Sequence, residues 1–328
     1  MNSFGIIGTG KSIPSKKITN TFVSKKVKKS PSWIYSRTGI KNRYIVSKKE
    51  TSTHLATKAA INAIKNSKIN KKDIGLIIGC NYTSDYTFPG LAVKVHQNLK
   101  LKNCGAFDLN ANCTGVQIGL STAAEKLKND NKLKYILVIG TCVQSPFINW
   151  KYAETSMYFG DGSAAAVVGK VPKGYGYIGS SSFCNSYAYD DVRLRAGGSM
   201  YPLNKMNKKN SASYYEMSGL ETWKQAVTYQ PLVILNLLKK YQLNLNSVDF
   251  FIFHQANKNL IDYMMSKLKV SKEKTLINVD KYGNTGDASI AIALDEALSK
   301  KKIKKNDKVV ISGVGAGFIF GASLFKWY

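Results

Sequence analysis

Each half of this chain holds the same passage: an apolar strand-like run, a helix-period segment and a second apolar run. In the first half DIGLIIGC (Asp73 to Cys80) and KYILVIGTC (Lys134 to Cys142) flank an apolar helix that begins after Cys113. In the second, VDFFIFHQ (Val248 to Gln255) and KVVISGVGAG (Lys308 to Gly317) flank the helix IAIALDEAL that follows Asn284. Short continuous apolar runs predict strands covered on both faces, which restricts the chain to an α/β protein with buried sheets. The strand CGAFDL before Cys113 has a counterpart in TLINVD before Asn284. The spacing predicts a tandem duplication with halves 1–172 and 173–328, each supplying one central helix whose end meets the other at the site.

Cys113 sits in FDLNANCTGVQIGL (Phe107 to Leu120), where a strand ends and a helix begins at once. A helix N-terminus carries partial positive charge and unpaired N–H groups. Both favour thiolate, so the position predicts a thiol pKa below the free value of about 8.5. Two further segments stand beside it: HQAN (His254 to Asn257) follows VDFFIF, and YGNTGDAS (Tyr282 to Ser289) opens the late helix. Of His54, His96 and His254, only the last lies between a buried strand and polar amides. A thiol, an imidazole and a carboxamide, each on a loop after a strand, suit acyl transfer with a carbanion step. Cys113 would hold the acyl group, while His254 and Asn284 direct N–H donors at a second thioester carbonyl as its enolate forms.

Composition narrows the setting. The 328 residues are 44% hydrophobic, enough for one large core or two fused domains of about 150 residues. Five cysteines without CxxC spacing argue against a disulfide framework or a zinc site and fit a reducing compartment, so no metal is expected. No apolar run approaches the roughly 18 residues that span a bilayer, and the expected location is the cytoplasm, without membrane attachment. The formal net charge is +28 and nearly all of it is lysine, Arg37, Arg43, Arg193 and Arg195 being the arginines. An acidic partner fits this charge. Scattered lysines without arginine forks argue against nucleic acid and leave an acidic carrier protein, or a plain solvated surface.

Two glycine motifs are decoys. GIIGTGKS (Gly5 to Ser12) has the letters of a P-loop, but Ile6 and Ile7 would be strand and SIPSKKITN is a poor following helix. GVGAGFIFG (Gly313 to Gly321) has the look of a dinucleotide fingerprint, but too little chain follows for a βαβ unit. Ser180 to Tyr215 reads as a long surface excursion able to cap a pocket, and Pro231 is expected to kink or divide the helix that follows.

Taken together, SWIYSRTGIKNR (Ser32 to Arg43), the Cys113 segment, FGDGSAAAVV (Phe159 to Val168), EMSGLETWKQAV (Glu216 to Val227), HQAN, YGNTGDAS and the terminal GVGAGFIFGASLFKW resemble the β-ketoacyl-acyl-carrier-protein synthase III type of condensing enzyme, in the thiolase superfamily. The resemblance implies a duplicated five-layer α/β/α/β/α thiolase fold, a homodimer and a Cys113–His254–Asn284 catalytic triad. It implies an oxyanion hole from the backbone N–H groups of Cys113 and Ala316, and a Phe88 that reaches into the partner's acyl pocket. Trp33 and Arg37 resemble residues at the nucleotide end of coenzyme A. Asn257 and Gly219 resemble residues along the pantetheine tunnel. Coenzyme A or carrier phosphopantetheine thioesters would be substrates, with no resident cofactor. The chain departs from the family at Asn259, where an arginine is common, at Val314, where a phenylalanine is usual, and at Leu220, which replaces an asparagine.

The resemblance implies a fatty-acid-type synthase. It loads an acyl group on Cys113 and performs a decarboxylative Claisen condensation with a malonyl-carrier thioester. The alternative keeps acyl-Cys113 but passes the group to an alcohol or amine of a specialised metabolite or sugar, with His254 as general base.

Overall fold

A computed structural model describes residues 2–205 and 211–328, so residues 206–210 of the Ser180 to Tyr215 excursion lie outside the described part. The elements that frame the site are, in chain order, β1 (Ser3–Ser12), α1 (Pro31–Thr38), α2 (Ser52–Ser67), β2 (Ile74–Cys80), α3 (Leu91–Leu99), β3 (Gly105–Leu109), α4 (Gly115–Asn129), β4 (Tyr135–Cys142) and β5 (Gly162–Val171). They continue with β6 (Gly176–Cys184), α5 (Gly219–Lys240), β7 (Phe250–Phe253), α6 (Lys258–Lys267), α7 (Val279–Tyr282), α8 (Ala288–Ser299), β8 (Lys308–Gly315) and β9 (Ile319–Lys326).

The first sheet runs β1-β5-β4-β2-β3 and the second β6-β9-β8-β7. In the first, β4, β2 and β3 are parallel, and β5 runs antiparallel to both its neighbours, β4 and β1; in the second, β7 and β8 are parallel and β9 runs antiparallel to both its neighbours, β8 and β6. Residue alternation along the strands builds the layers. Ile136 and Val138 of β4 face the middle of the molecule with Val116, Leu120 and Ala124 of α4, while Leu137 and Ile139 face α2 and α3. Likewise Val309 and Ile311 of β8 face the middle, and Val310 faces Val233, Leu237 and Met264 of α5 and α6. The central helix α8 is buried nearly all round, which its sequence ASIAIALDEALS permits. The layers are therefore helix, sheet, helix, sheet, helix.

The topologies of the halves superimpose strand for strand, with β1, β5, β4 and β2 matched by β6, β9, β8 and β7. We propose the boundary between them at 172/173, in the turn between β5 and β6. The counterpart of β3 is reduced: TLINVD contributes a single parallel bridge, Phe251 to Thr275, before turning into α7. The expected strand is absent because Leu276, Ile277 and Asn278 leave the sheet, where Gln255 takes over. Its side-chain amide donates to the Phe253 and Leu276 carbonyls and its oxygen accepts from Asn278 N–H.

Other expectations are corrected. Pro231 does not divide α5, which runs unbroken over 22 residues with Val233, Ile234, Leu237 and Leu238 anchored on the second sheet. As read from the sequence, the P-loop-like segment is no phosphate loop but β1 throughout, and the terminal glycine segment is no dinucleotide fingerprint but the β8–β9 hairpin. The surface excursion begins as strand, since β6 extends to Cys184.

Candidate active site

In parallel sheets the carboxyl ends of strands form a crevice, and here the crevices of both halves open on one cavity of about 760 Å³. Cys113, His254 and Asn284 all line it, with Asn257, Gly219 and Ala316. β3 delivers Cys113 in a 3-10 turn, Asn112–Thr114, that runs straight into α4. Asn112 adopts the left-handed conformation, which asparagine tolerates, and its side chain donates to the Ala316 carbonyl at 3.2 Å. That bond ties the turn that carries Cys113 to the glycine loop after β8. Neither the Cys113 nor the Ala316 N–H donates to another backbone group among the described residues, so both remain available to an oxygen in the cavity.

His254 follows β7, its N–H continuing the ladder to the Ser312 carbonyl at 2.9 Å. Its Nδ1 lies 2.6 Å from Ser289 Oγ, which also accepts from Gln255 N–H. Ser289 is buried, so its hydroxyl proton needs an acceptor, and Nδ1 is the one at hand. The imidazole proton then sits on Nε2 as a donor. Burial pushes the imidazole pKa down to about 3, so the ring is neutral across the neutral range.

Asn284 is held by its backbone and by one end of its side chain. Its N–H donates to the Tyr158 carbonyl, its carbonyl accepts from Gly160 N–H and Gln144 Nε2, and its Oδ1 accepts from Gly286 N–H at 2.9 Å. Its Nδ2 has no hydrogen bond among the described residues and is free to donate. The turn needs Gly283, at φ 72°, because a Cβ there would meet the Tyr158 carbonyl at 2.8 Å.

The family model described as 3-oxoacyl-[acyl-carrier-protein] synthase III matches residues 107–186, and that of its C-terminal part matches residues 238–327. A beta-ketoacyl-[acyl-carrier-protein] synthase III of Fusobacterium nucleatum is 39% identical over 327 residues, spanning 100% of this chain and 99% of the relative. The chain belongs to the β-ketoacyl-[acyl-carrier-protein] synthase III family. The enzyme of that name from Caldanaerobacter subterraneus is 38% identical, over 98% of this chain and 97% of the relative. The crystal structure of the 3-oxoacyl-[acyl-carrier-protein] synthase III of Aquifex aeolicus superimposes with a TM-score of 0.90 at 33% identity, over 99% of this chain and 100% of that one. The five layers are thus the thiolase fold, and the chain is a condensing enzyme of the synthase III type.

Within this synthase III framework the remaining expected residues are scattered. Asn257 lines the cavity but also caps α6, its Oδ1 accepting from Leu260 N–H at 2.8 Å. Trp33 and Arg37 do not line the cavity; they sit together on α1, the guanidinium 5.7 Å from the indole. α1 is fastened to the start of α6 by Asn259, whose amide donates to the Ser36 and Arg37 carbonyls, giving the departure at that position a structural role. Phe88 is 83% exposed and outside the cavity of its own chain.

The expectation of a lowered Cys113 pKa is overturned. Burial pushes the thiol up to about 12, with the Asp287 carboxyl adding to the rise and the Tyr82 hydroxyl and the residue's own N–H opposing it. Asp287, just before α8, is a site residue that sequence reasoning passed over inside YGNTGDAS. It is fully buried, and among the described residues neither carboxyl oxygen completes a hydrogen bond, although Gly115 N–H lies near enough to favour the anion. Burial dominates and drives its pKa well above the usual carboxylate range.

A raised carboxyl pKa has a definite sign. Above the unfolded value of about 3.9 the unfolded chain sheds this proton while the folded chain keeps it, so stability falls as pH rises, by up to about 1.4 kcal/mol per pH unit. Asp287→Asn removes the titration. Relative to wild type, its urea midpoint is expected to be higher at pH 7.5 than at pH 4.5. A difference that stays constant over that range would mean that Asp287 is ionised in the folded protein.

Proposed function

We propose that this chain takes an acyl group from an acyl-coenzyme A or acyl-carrier thioester onto Cys113 and condenses it with a malonyl-carrier thioester. The products are a 3-oxoacyl-carrier and carbon dioxide. The observation that carries this reading is the pair of free donors, His254 Nε2–H and Asn284 Nδ2–H, on the cavity that also holds Cys113. In the first step Cys113 Sγ bonds to the acyl carbon, the donor's C–S bond breaks, and the thiol proton ends on the departing thiol. The Cys113 and Ala316 N–H groups would receive the oxyanion. In the second, the malonyl C–C bond breaks, the electron pair enters the thioester enolate, and His254 and Asn284 donate to its oxygen. The enolate carbon attacks acyl-Cys113, and the released sulfur regains a proton. Phe318, buried on the same cavity, contributes apolar surface near Val314, which supports loss of a carboxylate as neutral carbon dioxide.

Transfer to an alcohol or amine is the weaker reading. It needs His254 as a base, and an imidazole with a pKa near 3 that already carries its proton on Nε2 is a poor one.

The proposal extends to partners. The edge strand β3 and the exposed Phe88, Tyr86 and Phe107 fit a homodimer in which Phe88 enters the other subunit's acyl pocket. The +28 charge suits an acidic carrier. Asn257 and Gly219 would line the pantetheine arm, with Trp33 and Arg37 at the nucleotide end. Among the described residues no helix is long and apolar enough to cross a membrane, and the reading is a cytoplasmic acyltransferase of lipid synthesis. Product analysis decides between the readings. With acyl-coenzyme A and malonyl-carrier the expected product is 3-oxoacyl-carrier, whereas ester or amide formation without it would favour the alternative.

A further inference from the structure

One wall of the cavity, beside Asn284, is built from polar and aromatic side chains. Tyr82, Gln144, Phe159 and Tyr215 line it together with Cys113. Tyr82 Oη lies 3.9 Å from Cys113 Sγ and donates to Gln144 Oε1 at 2.9 Å. Gln144 in turn cannot swing aside. Its Nε2 donates to the Asn284 and Gly160 carbonyls at 2.9 and 3.0 Å, and its N–H donates to Asp161 at 2.7 Å. The Tyr82 hydroxyl also packs against Gly286, where a Cβ would come within 2.4 Å of it, and Gly286 is held at φ 52°. A phenol fixed in this way is part of the wall.

From this geometry we infer that Tyr82, braced by Gln144, is a specificity-determining residue that limits the acyl group on Cys113 to a short chain. The inference rests on the reading that Cys113 is acylated. Carbon atoms pack at about 3.5 to 4.0 Å, so a separation of 3.9 Å leaves no room for a methylene between the sulfur and the hydroxyl. A chain turning instead towards Tyr215 meets a ring packed between Phe147 and Phe159, with a buried hydroxyl that has no partner among the described residues. The packed rings close this direction to a long chain as well. Neither wall hinders a two- or four-carbon group.

The test is acyl loading followed by intact-protein mass spectrometry, with coenzyme A thioesters of two, four, six and eight carbons. Wild type is expected to load the two shortest readily and the eight-carbon chain much more slowly. Tyr82→Ala is expected to raise the octanoyl-to-acetyl loading ratio about tenfold or more, since it removes an overpacking penalty, while Tyr82→Phe, which keeps the ring, shifts it far less. Tyr82→Val serves as a second truncation should the alanine variant fold poorly. Equal loading of octanoyl and acetyl by wild type, or an unchanged ratio in both truncations, would overturn the inference. Failure of wild type to load any chain would instead sink acylation at Cys113, and this inference with it.

Discussion

Cys113→Ala is expected to take up no acyl group from any thioester, with acyl transfer reduced to background while the fold and thermal transition stay intact. The loss is complete because no other thiol occupies an equivalent position. Cys80 and Cys142 are fully buried behind the site, Cys104 lies just before β3, and the exposed Cys184 reaches the cavity from the end of β6 rather than from the start of a central helix. The structure also changes how this is best measured. A thiol pushed up to about 12 is no longer expected to outrun an exposed cysteine in reaction with iodoacetamide, so Cys184 competes for the label. On the proposed reading acyl loading asks for more than thiolate character, because the carbonyl oxygen would also meet the Cys113 and Ala316 N–H groups. Persistent loading of Cys113→Ala would remove Cys113 from the mechanism.

His254→Ala and Asn284→Ala are each expected to load acyl groups and fail to condense them. Their free donors would face the enolate oxygen, where charge develops only in the second step. Loss of one such donor typically costs about 2.7 to 4 kcal/mol, a hundred- to thousand-fold in rate. The double variant is expected to be little worse than either single one, since on this reading the two would act on one oxygen. The check is single-turnover discharge of preloaded acyl-enzyme by malonyl-carrier. Normal discharge by Asn284→Ala would leave the enolate role without support. His254 adds a stability signature of opposite sign to that of Asp287. Its folded pKa is depressed to about 3, so below the unfolded value of about 6.5 the unfolded chain takes up a proton that the folded chain refuses, and stability falls as pH drops through that window.

What was legible in the sequence follows from the physics of each element. Continuous apolar runs such as YILVIG can be satisfied only between two layers, so the buried sheets and the duplicated strand–helix–strand plan were readable from pattern alone. Of the motif residues, His254 does follow a buried strand, β7, whereas Cys113 follows the exposed edge strand β3 and Asn284 follows the short helix α7. Three things were not readable. TLINVD has strand composition, yet side-chain hydrogen bonds from Gln255 replace the ladder there, and such bonds depend on which loop the fold brings alongside. The thiol's shift depends on how deeply Cys113 is covered and on Asp287, which lies 174 positions later in the chain and becomes its neighbour only when α4 and α8 meet. Tyr82 carries no motif at all; its role emerges only once Gln144 and Gly286 hold it beside the sulfur.

The central claim is a two-step passage of one acyl group through Cys113, and intact-protein mass spectrometry with a carbon dioxide count tests it most directly. The purified protein is incubated with acetyl-coenzyme A, its mass recorded, and malonyl-carrier then added. The account predicts a mass gain of one acetyl group mapped to Cys113, lost on addition of malonyl-carrier together with one carbon dioxide and one 3-oxoacyl-carrier per site. An acetyl group that stays on Cys113 in the presence of malonyl-carrier, or one that leaves without carbon dioxide, would contradict it.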